Sequence, residues 1–118
     1  MINLLCITQK GDTMTTQFKK GIIELCVLKL VHDQPRSGLQ VIELMSQTLN
    51  VSENTIYPIL RRLTAQQLFK TYTIPSDIGA PKKVYEITLQ GKTQLQTSLV
   101  EWKDFLRDVS TILGGQYE

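Results

Sequence analysis

The sequence is poor in the residues from which most enzyme sites are built. Its 118 residues include two cysteines, one histidine and one tryptophan. Cys6 and Cys26 form neither a disulfide framework nor a metal-ligand spacing, so no metal is expected. Cys26 lies in an apolar run, where a small core residue is its simplest reading. A nucleophilic thiolate would need a cation or a histidine beside it. The single histidine, His32, adjoins Asp33 at the end of a helix-forming stretch and reads as structural. There is no glycine-rich phosphate loop and no GxSxG turn, which argues against hydrolase and nucleotide-dependent enzymes. No cofactor is expected, and the chain reads as a non-enzyme. No apolar run approaches the roughly 18 residues that span a bilayer. The stretch Ile2 to Ile7 is too short for a signal sequence and lacks a basic lead, so nothing points outside the cytoplasm.

Surplus charge is scarce too. Thirteen Lys and Arg stand against eleven Asp and Glu, a net charge of +2. A strongly basic chain would announce a nucleic-acid partner, and this total does not. Apolar residues are plentiful at 42%, too many for a disordered chain, and the length suits one domain with a real core.

Residues 1–13 read as a loose arm or the product of an upstream start of translation. Residues 16–32, with Ile22, Ile23, Leu25, Val27, Leu28 and Val31, are apolar on most sides and predict a central buried helix. Asp33 to Gly38 form a turn cluster, in which Pro35 stops that helix. Val41, Ile42, Leu44 and Met45 mark an amphipathic second helix over 39–48. Ser52 is a suitable N-cap for a third, over 53–67. Its buried stripe is Ile56, Ile59, Leu60 and Leu63, with Asn54, Thr55, Tyr57, Arg61 and Arg62 on or near the other face. Pro58 predicts a local distortion in its second turn. Alternating residues over 68–74 and 84–88 predict a β-hairpin, with the turn-rich segment 75–83 as its tip.

A last helix, about 90–113, opens at Thr88 or Gln90 and stops at Gly114-Gly115. Leu95, Leu99, Trp102, Leu106, Val109 and Leu113 recur at alternating spacings of four and three, a heptad seam. The seam is read as a dimer interface in preference to a helix folded back on its own domain.

Three helices and a hairpin, in that order, spell a winged helix-turn-helix. The fold class is mainly α with a small β-hairpin, extended by a long C-terminal dimerisation helix. The expected divisions are an arm over 1–13, the winged domain over 14–89, and the dimerisation helix with its tail over 90–118. In such folds the third helix enters the major groove and the hairpin reaches the flanking backbone. Ser52, Asn54, Thr55, Tyr57, Arg61 and Arg62 are then the candidate DNA contacts, joined by Lys82 and Lys83 at the wing tip and by Lys20 beside Lys19. A lysine pair alone is usually solvated surface; its position here changes the reading. The charge divides accordingly: segments 14–34, 52–68 and 69–88 each carry +1, the chain from residue 89 carries −1, and the rest is neutral.

These residues also carry a family resemblance. Lys20-Gly21-Ile22-Ile23-Glu24-Leu25-Cys26-Val27-Leu28, the run from Val51 to Leu63 with Tyr57-Pro58, and the run from Pro81 to Gly91 with Tyr85 and Thr88 are similar to the motifs of PadR-family transcriptional regulators of the short type. The resemblance implies a homodimeric winged-helix repressor on a pseudo-palindromic operator in double-stranded DNA. It also implies a small apolar effector between the C-terminal helices, with Leu99, Trp102 and Leu106 around it; the alternative is that Trp102 only fills the dimer core. The sequence departs from the family pattern at Ser37-Gly38-Leu39-Gln40, where Tyr-Gly-Tyr-Glu is common, and at Asn54, where glycine is common. The competing function is a protein-interaction module without DNA binding. It would be favoured if the N-terminal arm covered Tyr57 and Arg61.

Overall fold

A computed structural model of the chain describes residues 13–114. The elements are α1 (Thr13–Asp33), β1 (Arg36–Ser37), α2 (Gly38–Thr48), α3 (Glu53–Ala65), β2 (Phe69–Ile74), β3 (Lys82–Ile87) and α4 (Leu89–Leu113). Residues 1–12 of the expected N-terminal arm, Cys6 among them, lie outside the described residues, and Thr13 opens α1. Among the described residues no helix is long and apolar enough to cross a membrane.

The apolar stripes meet in one core. Val27 and Val31 of α1, Val41 of α2, Ile56, Ile59 and Leu60 of α3, Phe69 of β2 and Leu95 of α4 are all 2% exposed or less. Phe69 meets Tyr85 of β3 edge to face, with ring centroids 6.3 Å apart. Cys26 is half-buried against this core, and burial pushes its thiol pKa up, the opposite of a poised nucleophile. His32 sits 3.4 Å from the Asp33 carboxylate, which Lys29 holds below its usual range.

The turn cluster holds more structure than its composition predicts. Arg36 and Ser37 pair with Tyr85 and Val84, giving a three-stranded antiparallel sheet in the order β1-β3-β2. Ser37 is also the N-cap of α2. Its Oγ accepts from the Gln40 amide at 3.2 Å, and its own amide donates to Gln40 Oε1 at 2.9 Å, a complete capping box.

Helix α3 is not broken by Pro58. The missing N–H would have bonded the Asn54 carbonyl, and both residues are exposed, so water can replace that bond. The helix stops two residues before the expected end because Gln67 adopts a left-handed conformation (φ 65°). The Leu68 amide then bonds the Leu63 carbonyl at 2.9 Å, which turns Leu68 back into the core.

The hairpin register runs from Phe69↔Ile87 to Ile74↔Lys82. Lys82 and Lys83 therefore open β3; they are not in the tip loop, as expected from the sequence. Thr88 caps α4, its Oγ1 accepting from the Gly91 amide at 2.9 Å, and Gly114 ends it with φ 69°. A helix of 25 residues is about 37 Å long, and only its first half lies on the core. Leu95 is fully buried there, which corrects its assignment to the dimer seam. A side chain with no accessible surface cannot also meet a partner.

Candidate nucleic-acid interface

The outward side of α3 is the site. Ser52 holds the extended N-cap conformation, but its hydroxyl makes no cap bond and is left to serve an outside acceptor. Asn54, Thr55, Tyr57 and Arg61 are all exposed. No described residue covers them; the N-terminal arm that might have done so lies outside the described residues.

Two clefts flank this helix. One, of about 680 Å³, lies between α3 and the wing. It brings together Tyr57, Arg61, Lys82, Lys83 and Tyr85, with Glu43 of α2 at its edge. Tyr57 is seated against Gly38, where an added Cβ would stand 3.0 Å from Tyr57 Cε1. Lys83 Nζ lies 5.7 Å from the centre of the Tyr85 ring. Burial pushes the Tyr85 phenol up, Tyr57 adds to this, and Arg61 opposes it. The phenol therefore remains a neutral donor beside the cationic groups.

The second cleft, of about 580 Å³, lies between α3 and the start of α1. Lys19, Lys20, Ser52, Asn54 and Thr55 line it, and among the described residues no acidic side chain does. The structure thus places Lys20, and Lys19 with it, beside the start of α3. Arg62 lines this cleft as well, but its charge is met within the chain. Its guanidinium is ion-paired with Glu24 of α1, each about a third exposed (31% and 30%). This corrects its placement on the free face: the period of α3 turns Arg62 toward α1, while Arg61 points toward the wing.

Beyond the DNA face, α4 leaves its core at Leu99. Leu99 and Trp102 line a groove of about 370 Å³ with Leu25, Leu30 and Leu49. Leu106 and Leu113 are exposed and Val109 is partly so, alongside Phe105 (52%) and Ile112 (83%). So much apolar surface on one projecting helix is unusual for a monomer.

Sequence reasoning passed over Tyr85 and Glu43 as site residues. The alternation that makes Tyr85 a core residue is visible in the chain, but its proximity to Arg61 depends on how β3 packs against α3.

Residues 27–97 match the model of the transcriptional regulator PadR-like family. The chain belongs to this family. Similar solved structures include a PadR-like transcription factor from Bacteroides fragilis, 31% identical with a TM-score of 0.74, covering 86% of this chain and 99% of that one. A PadR-like transcriptional regulator from Bacillus cereus is 29% identical with a TM-score of 0.73, covering 85% and 99% respectively. The structure of Bacillus subtilis PadR in complex with operator DNA is similar at 24% identity and a TM-score of 0.61, over 67% of this chain and 47% of that one. This PadR-like regulator accordingly has a winged helix-turn-helix fold with a long C-terminal helix.

Proposed function

We propose that this PadR-like regulator binds double-stranded operator DNA in the cytoplasm as a homodimer and acts as a repressor. The observation that carries the reading is the exposed face of α3 between two lysine-bearing clefts. The major groove is about 12 Å wide and admits one helix, with a phosphate row on each side. Base edges would meet Asn54, Thr55, Tyr57 and Arg61. One phosphate row would meet Lys82 and Lys83, and the other Lys19, Lys20 and the free Ser52 hydroxyl. A similar structure, that of Bacillus subtilis PadR, is a complex with operator DNA, which supports a DNA partner here.

The winged domain over 14–89 would supply the contacts and the segment 90–118 the pairing. Two copies joined along Leu99, Trp102, Leu106, Val109 and Leu113 would present two recognition helices to half-sites about 34 Å apart. Selection from a random duplex pool, followed by titration over a range of salt, tests the reading. A pseudo-palindromic site and affinity that falls steeply with salt are expected. Absence of binding to any duplex at low salt would overturn it. In sedimentation, Leu106→Glu should convert a dimer into a monomer, because it places a charge in the apolar seam.

The position of Trp102 favours an effector at the same seam. It borders open grooves on two sides and is not sealed in the core. A flat apolar compound stacked there, with Leu99 and Leu106 around it, would release the operator. Trp102→Ala should abolish that response while the dimer persists.

A further inference from the structure

Arg62 stands on the recognition helix next to Arg61, yet its charge is taken up within the chain by Glu24. The pair is not what seats α3, since its side chains Ile56, Ile59, Leu60 and Leu63 already anchor it in the core, each 2% exposed or less. Partly exposed ion pairs add little to stability in any case. What the pair does is neutralise a guanidinium that lines a cleft otherwise holding Lys19, Lys20, Ser52, Asn54 and Thr55. A DNA phosphate entering that cleft offers the guanidinium a second anionic acceptor, which like the carboxylate can take its paired N–H donors.

We propose that Glu24 competes with the DNA phosphate backbone for Arg62 and so sets the affinity and salt dependence of the complex. This inference rests on the DNA-binding reading and extends it to a residue of α1. Glu24 keeps one cation out of the phosphate contacts. Removing its charge while keeping its shape frees Arg62 to make one more. Such a contact carries no sequence information, so its effect is the same on any duplex.

The test uses the full chain and two duplexes, the selected operator and a scrambled one, titrated at several salt concentrations. Glu24→Gln should tighten both complexes equally, by up to about eightfold at 0.1 M salt, and steepen log K against log[salt] by about 0.9. In Glu24→Gln combined with Arg62→Ala the gain should vanish. Arg62→Ala alone should change affinity less than twofold, and it answers the same question if Glu24→Gln melts early. An unchanged or weaker complex from a folded Glu24→Gln chain overturns the inference alone. So does a gain that survives Arg62→Ala, or a loss from Arg62→Ala as large as that from Arg61→Ala. Failure of the native chain to bind either duplex overturns the DNA-binding reading and this inference with it.

Discussion

Arg61→Ala is expected to weaken operator binding by one to two orders of magnitude, the largest functional loss of any single truncation in this chain. Arg61 is exposed, makes no ion pair among the described residues, and shares its cleft with Tyr57, Lys82 and Lys83. It lies one turn beyond Tyr57 on the face that α2 and the wing leave open. Arginine's fork of donors suits a guanine edge or a phosphate, and losing such a contact costs about 1–3 kcal/mol. The two partners leave different signatures. If Arg61 reads a base, the loss appears on the operator, shrinks on a scrambled duplex, and relaxes the preference at one position. If it holds a phosphate, both duplexes lose alike and the salt slope falls by about 0.9. Arg61→Lys keeps the charge but not the fork, so it should rescue the phosphate case far better than the base case. Equal affinity of Arg61→Ala and native chain on both duplexes would remove α3 as the recognition helix.

The comparison with Arg62 shows where sequence reading reaches its limit. Both arginines are plain in the chain, and the stripe of Ile56, Ile59, Leu60 and Leu63 fixes which side of α3 is buried. Periodicity thus yields the helix and its outward side. It does not say what flanks that side, and the separation of Arg61 from Arg62 is decided by the carboxylate of Glu24, distant in sequence. The same limit applies to Leu95. Its heptad spacing is continuous with that of Leu99 and Trp102, so the pattern alone joins it to the seam. Where the core ends along α4 depends on how far α1 and the sheet extend beside it. Strand β1 is illegible for a different reason. Two residues have no period, and their pairing with Val84 and Tyr85 is a tertiary event. By contrast, the caps at Thr88 and Gly114 are legible because they are local chemistry, whereas Ser52 takes the N-cap conformation without the cap bond.

The small net charge gains meaning from the same geometry. Of the cations on the winged domain, Lys19, Lys20, Arg61, Lys82 and Lys83 border α3, whereas Lys29 is paired with Asp33 and Lys70 lies 3.7 Å from Glu86. Among the described residues the five beside α3 make no ion pair, whereas Arg62, also on α3, is paired with Glu24. A net charge of +2 per chain is compatible with a steered, salt-sensitive encounter once the unpaired charge lies on one side, and the proposed dimer would double it.

Gly91→Ala is expected to cause the largest loss of stability. The residue lies in the first turn of α4, in ordinary helical conformation, where alanine would normally be favoured over glycine by about 0.5–1 kcal/mol. Space reverses the sign. A Cβ at Gly91 would stand 2.2 Å from the Leu68 carbonyl oxygen and 2.6 Å from Ile87 Cγ1. The carbonyl has little freedom to retreat, because it accepts the Thr88 amide at 3.0 Å and the Thr88 hydroxyl at 3.1 Å. The same Thr88 caps α4 through the Gly91 amide. Relief of the clash therefore requires α4 to lift from the end of α3, loosening both the cap and the burial of Leu95. Overpacking of this kind costs about 3 kcal/mol, and for a domain of this size that lowers the melting temperature by roughly 10–20 °C. Gly21→Ala is the matched control. Gly21 lies within α1 with nothing near its missing Cβ, so the same substitution there should raise the melting temperature by a few degrees. Both variants and the native chain are melted at one protomer concentration, since the proposed dimerisation would make the midpoint depend on it. If Gly91→Ala melts within about 2 °C of the native chain, the close seating of α4 on Leu68 is wrong, and with it the placement of the helix that is proposed to join the two DNA-binding domains.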